Sequence, residues 1–391
     1  MRALRLFLRL VLPAGLAGVL LWSVAPALSL DPYMPEPKDF EQPVPDVERI
    51  AGGGNELRSS SGGGHADEGP VRFVSPVIDA PARFDLVGVA GELRPLEYRA
   101  RLEGEEWTDW VETANGDPVY FGGAEEVQVR SRGVRPEGDL HYVNISGSDT
   151  FAGRVLTAAR ESVNSAFISV ASVASAGALP PQPHMVKRAE WGAKRGCRPR
   201  TDPAHGEVKA ATVHHTVTAN DYGREEAPGI VLGICRFHRN GNGWNDVGYN
   251  FLVDRFGDVY VGRSGGVRKA VVGAHAAGYN AQTTGISSIG THTSTPASDA
   301  AEDAIVDVIA WKLALNGVKA AGRTRLLSSG GSTNRFPAGR KVRVKRVFGH
   351  RRVSSTECPG DELNSVLQRI RARAQELIAE HGGLLPPQPS D

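Results

Sequence analysis

Two stretches rich in small, polar and Pro residues limit what this chain can fold into. Residues 31–70 carry GGG at 52–54 and SSSGGG at 59–64, and read as a flexible spacer. Residues 150–183 are rich in Ser, Ala and Val, end in ALPPQPH, and read as a second linker with a helical turn or two. A length of 391 residues suits two or three domains. The division is then a spacer at 28–70, a small domain at 71–148, a linker at 149–183, a larger domain at 184–380 and a tail at 381–391.

The two domains differ in period. In the first, FDLVGVAG, EYRARLEG, WTDWVE, EEVQVRSRG and HYVNIS are short alternating runs broken by Gly, Pro or charge. That spacing predicts an all-β, sandwich-like accessory domain. Trp107 and Trp110 are read as packed aromatics rather than a sugar platform. From His184 the elements alternate. KAATVHH is a buried strand ending in two His, and APGIVLGICRFH has Ile230, Ile234 and Phe237 at helical spacing. YNFLVDRFGDVYVGR reads as two strands around a turn at 255–258, and KVRVKRVFGH as one strand. SDAAEDAIVDVIAWKLALNG is a helix with Asp299 and Glu302 in its start signal and Gly317 at its stop. The last helix spans Asp361 to Glu380. Strands alternating with helices predict an α/β domain with a mixed central sheet flanked by helices.

MRALRLFLR, an apolar run to about Val24 and the small-residue site Ala25–Ala27 have the form of an export signal, read here as residues 1–27. The competing reading is an uncleaved membrane anchor, since the apolar stretch extends to Leu30. Either way the chain is expected to be secreted or associated with the cell wall, with no membrane contact beyond this segment. A formal net charge of +1 says little about partners. The basic run RKVRVKRVFGHRR alternates with Val as a half-solvated strand does, so nucleic acid is not expected, and the chain is expected to act as a monomer.

The chain has three cysteines, Cys197, Cys235 and Cys358, an odd number in a compartment that permits disulfides. Cys358 follows a strand that ends at His350, and the earlier ATV strand ends at His214 and His215. Function in an α/β sheet gathers beyond strand ends. Two His and one Cys with a fourth position open is the ligand set of catalytic zinc. Spacing alone leaves buried structural roles open for all three.

The residues between are more specific. VHHT (213–216), GWNDVGYNFLVDRFGDVYVGR (243–263), GAHAAGYN (273–280) and GHRRVSSTECPG (349–360) occur in that order. The chain resembles, over about residues 184–380, the peptidoglycan recognition protein / type 2 N-acetylmuramoyl-L-alanine amidase family, most like actinobacterial-style members with an N-terminal accessory domain. The resemblance implies one zinc ion held by His214, His350 and Cys358, with Tyr249 and Thr356 as catalytic residues. It also implies hydrolysis of the lactyl–L-alanine amide of peptidoglycan. A hydroxyl at Tyr249 or Thr356 can donate to the oxyanion of the tetrahedral intermediate. The general base is left unassigned.

His275 and Asn280 of GAHAAGYN are the candidate substrate-binding residues, with a satisfied buried histidine as the alternative for His275. His215 is read as structural, because neighbours on a strand face opposite ways. His238 is read as packed, and His184, His205 and His292 carry no signal. Once Cys358 is given to metal, the remaining Cys197 and Cys235 are expected to form a disulfide. Two rival readings are a non-catalytic peptidoglycan-binding module and a cysteine hydrolase using Cys358 and His350.

Overall fold

The computed structural model describes residues 37–49, 70–145 and 179–382, except 103, 114, 115 and 134, together with Leu384. The signal or anchor reading at 1–27, most of both linkers, and the tail after 384 lie outside the described residues.

The N-terminal sheet has eight strands: β1 (Lys38–Pro43), β2 (Glu48–Arg49), β3 (Phe73–Val74), β4 (Ile78–Val89), β5 (Leu96–Arg101), β6 (Val111–Thr113), β7 (Val119–Ser131) and β8 (Asp139–Asn144). β1 and β2 correct the sequence reading, which had placed them in the spacer. KDFEQP is an edge strand antiparallel to β8, and Phe40 stacks on Tyr142 with ring centroids 5.1 Å apart. The paired backbone, this aromatic contact and side-chain bonds of Glu41 to His141 Nδ1 (2.8 Å) and of Asp39 to Arg236 together order a polar run ending in Pro, a residue that edge strands tolerate.

Hydrogen bonding makes this one continuous sheet, ordered β1-β8-β4-β7-β3-β2, with β5 also on β7 and β6 on β5. It curls around Phe84, Val87, Tyr98, Val127, Val129 and Tyr142, so its layers enclose a core as a sandwich does. Trp107 and Trp110 are half-buried at its rim. The Arg99 guanidinium lies 4.7 Å from each ring, which is cation–π packing.

The larger domain is built on β9 (Met185–Val186), β10 (Ala210–His215), β11 (Phe251–Val253), β12 (Val259–Val261), β13 (Thr283–Ser288), β14 (Arg323–Leu327), β15 (Lys341–Lys345) and β16 (Val347–Gly349). Its mixed six-stranded sheet is ordered β16-β10-β13-β11-β12-β9. β10 is parallel to β13 and β16, whereas β11 and β12 are antiparallel. The central β13, TTGISS, was not legible as a strand: it is short and weakly apolar, and is buried because strands flank it on both sides. The expected strand KVRVKRVFGH divides at Arg346. β15 pairs with β14 in a separate hairpin, exposing Lys341, Arg343 and Lys345 while burying Val342 and Val344.

Three helices cover the central sheet. α1 (Ala227–Arg236) runs into a π-turn, Phe237–Gly241, and packs on one face with Tyr249, Leu252 and Tyr260. α2 (Asp299–Leu315) and α3 (Asp361–Glu380) cover the other, against Val213, Phe251 and Ile286. α2 starts where Ser298 Oγ accepts the Ala301 N–H at 3.1 Å, a side-chain N-cap. Among the described residues no helix is long and apolar enough to cross a membrane.

The two domains pack directly together. The side-chain alternation of β4 and β8 sends Val87 and Tyr142 into their own core and Leu86 and Val143 against α1. Ile145 packs there as well, and His141 meets Phe237 edge-on at 5.5 Å. Arg236 Nε donates to Asp39 Oδ1 at 2.7 Å across the same boundary.

Candidate metal centre

β10 alternates as well. Val213 faces α2 and α3, so His214 emerges on the opposite face, at the strand's C-terminal end. β16 beside it ends at Gly349 and delivers His350 at the start of a short 3₁₀ turn. The chain then loops back. The Arg351 N–H donates to the Cys358 carbonyl at 2.8 Å, and the Arg351 side chain bonds Glu357 O and Asp361. Cys358 and Pro359 are joined by a cis peptide bond. Gly360 has φ +85°, and a Cβ there would lie 2.1 Å from the His292 carbonyl oxygen, so only Gly fits this exit into α3.

Potential ligand atoms of His214, His350 and Cys358 lie within 4.8 Å of one another, and all three residues are buried. The His214 and His350 rings are 4.4 Å apart, and Cys358 Sγ is 3.6 Å from His214 Nδ1. Two observations fit a metal ion: His350 Nε2 is buried with no hydrogen-bond partner, and Cys358 is outside any disulfide. Burial, then the neighbouring imidazoles, push His214 well below the usual histidine range, and burial pushes His350 down to about 3. Both rings are therefore neutral, as ligation requires. Burial raises the Cys358 thiol, which disfavours a free thiolate and favours one neutralised by a cation.

His275 sits where it can orient a ligand. Its Nδ1 is 3.0 Å from His214 Nε2, and the rings meet edge-on. This close approach is possible because residue 285 is Gly: a Cβ there would lie 2.5 Å from the His275 ring. Asn280 Oδ1 accepts the backbone N–H groups of His275 and Ala276, both at 2.8 Å. Both residues are substrate-contact candidates by sequence, with a satisfied buried histidine as the alternative for His275. Here His275 packs on a candidate ligand, and the Asn280 side-chain oxygen holds the loop that carries it. His215 faces the other way, and its Nδ1 accepts the His292 N–H at 3.0 Å.

Tyr249 is buried with its ring centroid 5.3 Å from that of His214. Its hydroxyl donates to Asp117 Oδ1 at 2.7 Å, across the domain boundary. Burial first, then Asp117, raise the phenol well above its ordinary value, so it stays protonated. Thr356 Oγ1 accepts the Cys358 N–H at 3.1 Å, which leaves its own proton free to donate. His238, read as packed, is buried and bonds Asp117 Oδ1 through Nε2 at 3.0 Å. Asp117 was missed in the sequence because NGDP reads as a turn and nothing local pairs it with a tyrosine 132 positions away.

Cys197 and Cys235 are joined in a disulfide with Cα atoms 5.8 Å apart, tying the 188–197 turn to α1. Beside it Arg188 Nη2 pairs with the buried Asp246 at 3.0 Å.

A family model described as N-acetylmuramoyl-L-alanine amidase matches residues 204–361. Peptidoglycan-recognition protein SC1a of Drosophila melanogaster is 32% identical over 181 residues, covering 46% of this chain and 82% of that protein. Peptidoglycan-recognition protein 1 of Holotrichia diomphalia is 25% identical over 186 residues, covering 48% and 80%. Among solved structures, wild-type Drosophila PGRP-LB aligns with a TM-score of 0.37 at 26% identity, over 47% of this chain and 92% of that one. The chain belongs to the peptidoglycan recognition protein and N-acetylmuramoyl-L-alanine amidase family.

Proposed function

We propose that the chain is a zinc-dependent N-acetylmuramoyl-L-alanine amidase that cleaves the lactyl–L-alanine amide of peptidoglycan. The observation that carries this reading is the cluster of His214, His350 and Cys358, with an unpartnered imidazole nitrogen and a free thiol. Zinc held by these side chains supplies a hydrolytic water at neutral pH and Lewis-acid polarisation of the scissile carbonyl. The chain supplies the rest. His275 fixes the tautomer and orientation of His214, Asn280 fixes His275, and Thr356 offers a hydroxyl proton to the oxyanion. The relatives named for peptidoglycan recognition support the substrate class, and the reading of the first residues as an export signal or anchor is in keeping with a secreted or wall-associated site of action.

The cysteine-hydrolase reading loses support. A nucleophilic cysteine needs a depressed pKa and access, whereas Cys358 is buried with its thiol raised. Incubating the full-length chain with peptidoglycan tests the amidase reading. Mass spectrometry is expected to find stem peptides with free N-terminal alanine that vanish on chelation and return with zinc. Binding without release, across several wall types, would make the chain a recognition module instead.

A further inference from the structure

Asp117 belongs to the N-terminal domain, in the turn between β6 and β7, yet its carboxylate lies in the metal-centre domain's own hydrogen-bond network. Oδ1 accepts the Tyr249 hydroxyl at 2.7 Å and lies 3.0 Å from His238 Nε2. The direction of the second bond is fixed, because His238 Nδ1 accepts the Gly248 N–H at 3.1 Å. Nε2 therefore carries the ring proton and donates it, and one carboxylate oxygen receives two donors.

The turn is anchored on both sides. Thr113 Oγ1 donates to the Asp117 carbonyl at 2.8 Å, and Asn242 Nδ2 donates to the Gly116 carbonyl at 2.6 Å. Asn242 Oδ1 also accepts the Gly91 N–H at 3.2 Å. Behind it the apolar contact of Leu86 and Val143 with α1 holds the domains together.

A tyrosine hydroxyl has one proton, and here Tyr249 gives it to Asp117. Its oxygen is left as an acceptor, so in this arrangement it does not donate to an oxyanion. We infer that Asp117 is the positioning residue of the proton relay in amide hydrolysis, acting through Tyr249, so that the N-terminal domain completes the active site. This rests on the amidase reading. As the water oxygen adds to the scissile carbonyl carbon, one of its O–H bonds breaks. That proton passes to Tyr249 Oη while the hydroxyl proton of Tyr249 passes to Asp117. When the C–N bond breaks, the relay runs backwards and delivers a proton to the leaving alanine nitrogen. Asp117 and Tyr249 return to their starting states, and one water is consumed per bond.

The test uses the full chain, loaded with zinc and supplied with a soluble muropeptide. Asp117→Ala and Asp117→Asn are expected to lower kcat about 100-fold or more, in line with loss of proton-transfer catalysis. KM and zinc content are expected to stay within about threefold of the parent, since the metal side chains are untouched. Asp117→Glu should restore part of kcat. In mixtures of light and heavy water, the parent's kcat should curve with deuterium fraction, as two moving protons require, and that of Asp117→Ala should be linear. Independently of activity, the ¹⁵N-histidine NMR spectrum should show His238 as the Nε2–H tautomer, with that proton's resonance displaced in Asp117→Ala. An Asp117→Ala chain as active as the parent, or more active, would overturn the inference, the latter showing the carboxylate to be a brake. A parent that holds zinc but releases no stem peptide would overturn the amidase reading, and the relay with it.

Discussion

His214 presents its two ring nitrogens to different partners: Nδ1 faces Cys358 Sγ at 3.6 Å and Nε2 faces His275 Nδ1 at 3.0 Å. With Nδ1 on the metal side, Nε2–H has an acceptor in His275. Outer partners of this kind set ligand orientation and basicity. His275→Ala is therefore expected to weaken zinc binding by about 10- to 100-fold with the fold intact. Competition with a chromogenic chelator measures this. An unchanged affinity would return His275 to the substrate-contact role.

The domain boundary is tightly packed, and Gly88 is one of its closest approaches. A Cβ on Gly88 would lie 2.5 Å from Phe237 Cζ. Gly88→Val must push Phe237 and the π-turn away, at a cost of about 1–3 kcal/mol for overpacking. The expected result is a lower unfolding temperature by calorimetry and a loss of turnover, because the same displacement moves His238 and the Asp117 contact. A variant with parental stability and parental turnover would show that the two domains act independently.

The Cys197–Cys235 bridge closes a segment with a sequence separation of 38. Loop-closure entropy at that length is worth about 4 kcal/mol. The double variant Cys197→Ser, Cys235→Ser should lose stability of that order in denaturant unfolding while keeping zinc, since neither cysteine lies in the metal cluster. Loss of zinc with the fold retained would contradict this separation of roles.

Lys312 on α2 is buried, and its Nζ donates to the Val267 and Lys269 carbonyls at 2.6 and 2.7 Å. Burial pushes it from 10.5 down to about 7. Between these values the unfolded chain holds a proton that the folded chain has released, so this residue's contribution to stability rises with pH from about 7 to 10.5 and is flat below that window. Denaturant unfolding at pH 7 and pH 9 should show the rise in the parent and a smaller one in Lys312→Met. Equal slopes in the two proteins would contradict it.

Much of this was legible in the sequence, and the exceptions share a cause. α3 was bounded correctly because its apolar stripe, from Leu363 to Ile378, is a local signal. The convergence of His214, His350 and Cys358 was legible because strand ends and an ordered motif set carried it. β13 escaped because its burial comes from its neighbours rather than from its own apolarity. β1 escaped because an edge strand is ordered by the partner it pairs with. Asp117 escaped for the same reason: its significance lies in a contact between domains, and no short-range pattern encodes that. For His275 the sequence left a substrate contact and a satisfied buried ring both open, since GAHA does not reveal which way the ring turns; the structure places that ring against His214.

The central claim is that Cys358 is present to hold a metal that performs amide hydrolysis. The most direct measurement is zinc per chain, alongside stem-peptide release, for the full-length parent and for Cys358→Ser. The account predicts one zinc per chain and release of peptides with free N-terminal alanine in the parent, with both lost together in the variant. A Cys358→Ser chain that cleaves as fast as the parent would contradict it.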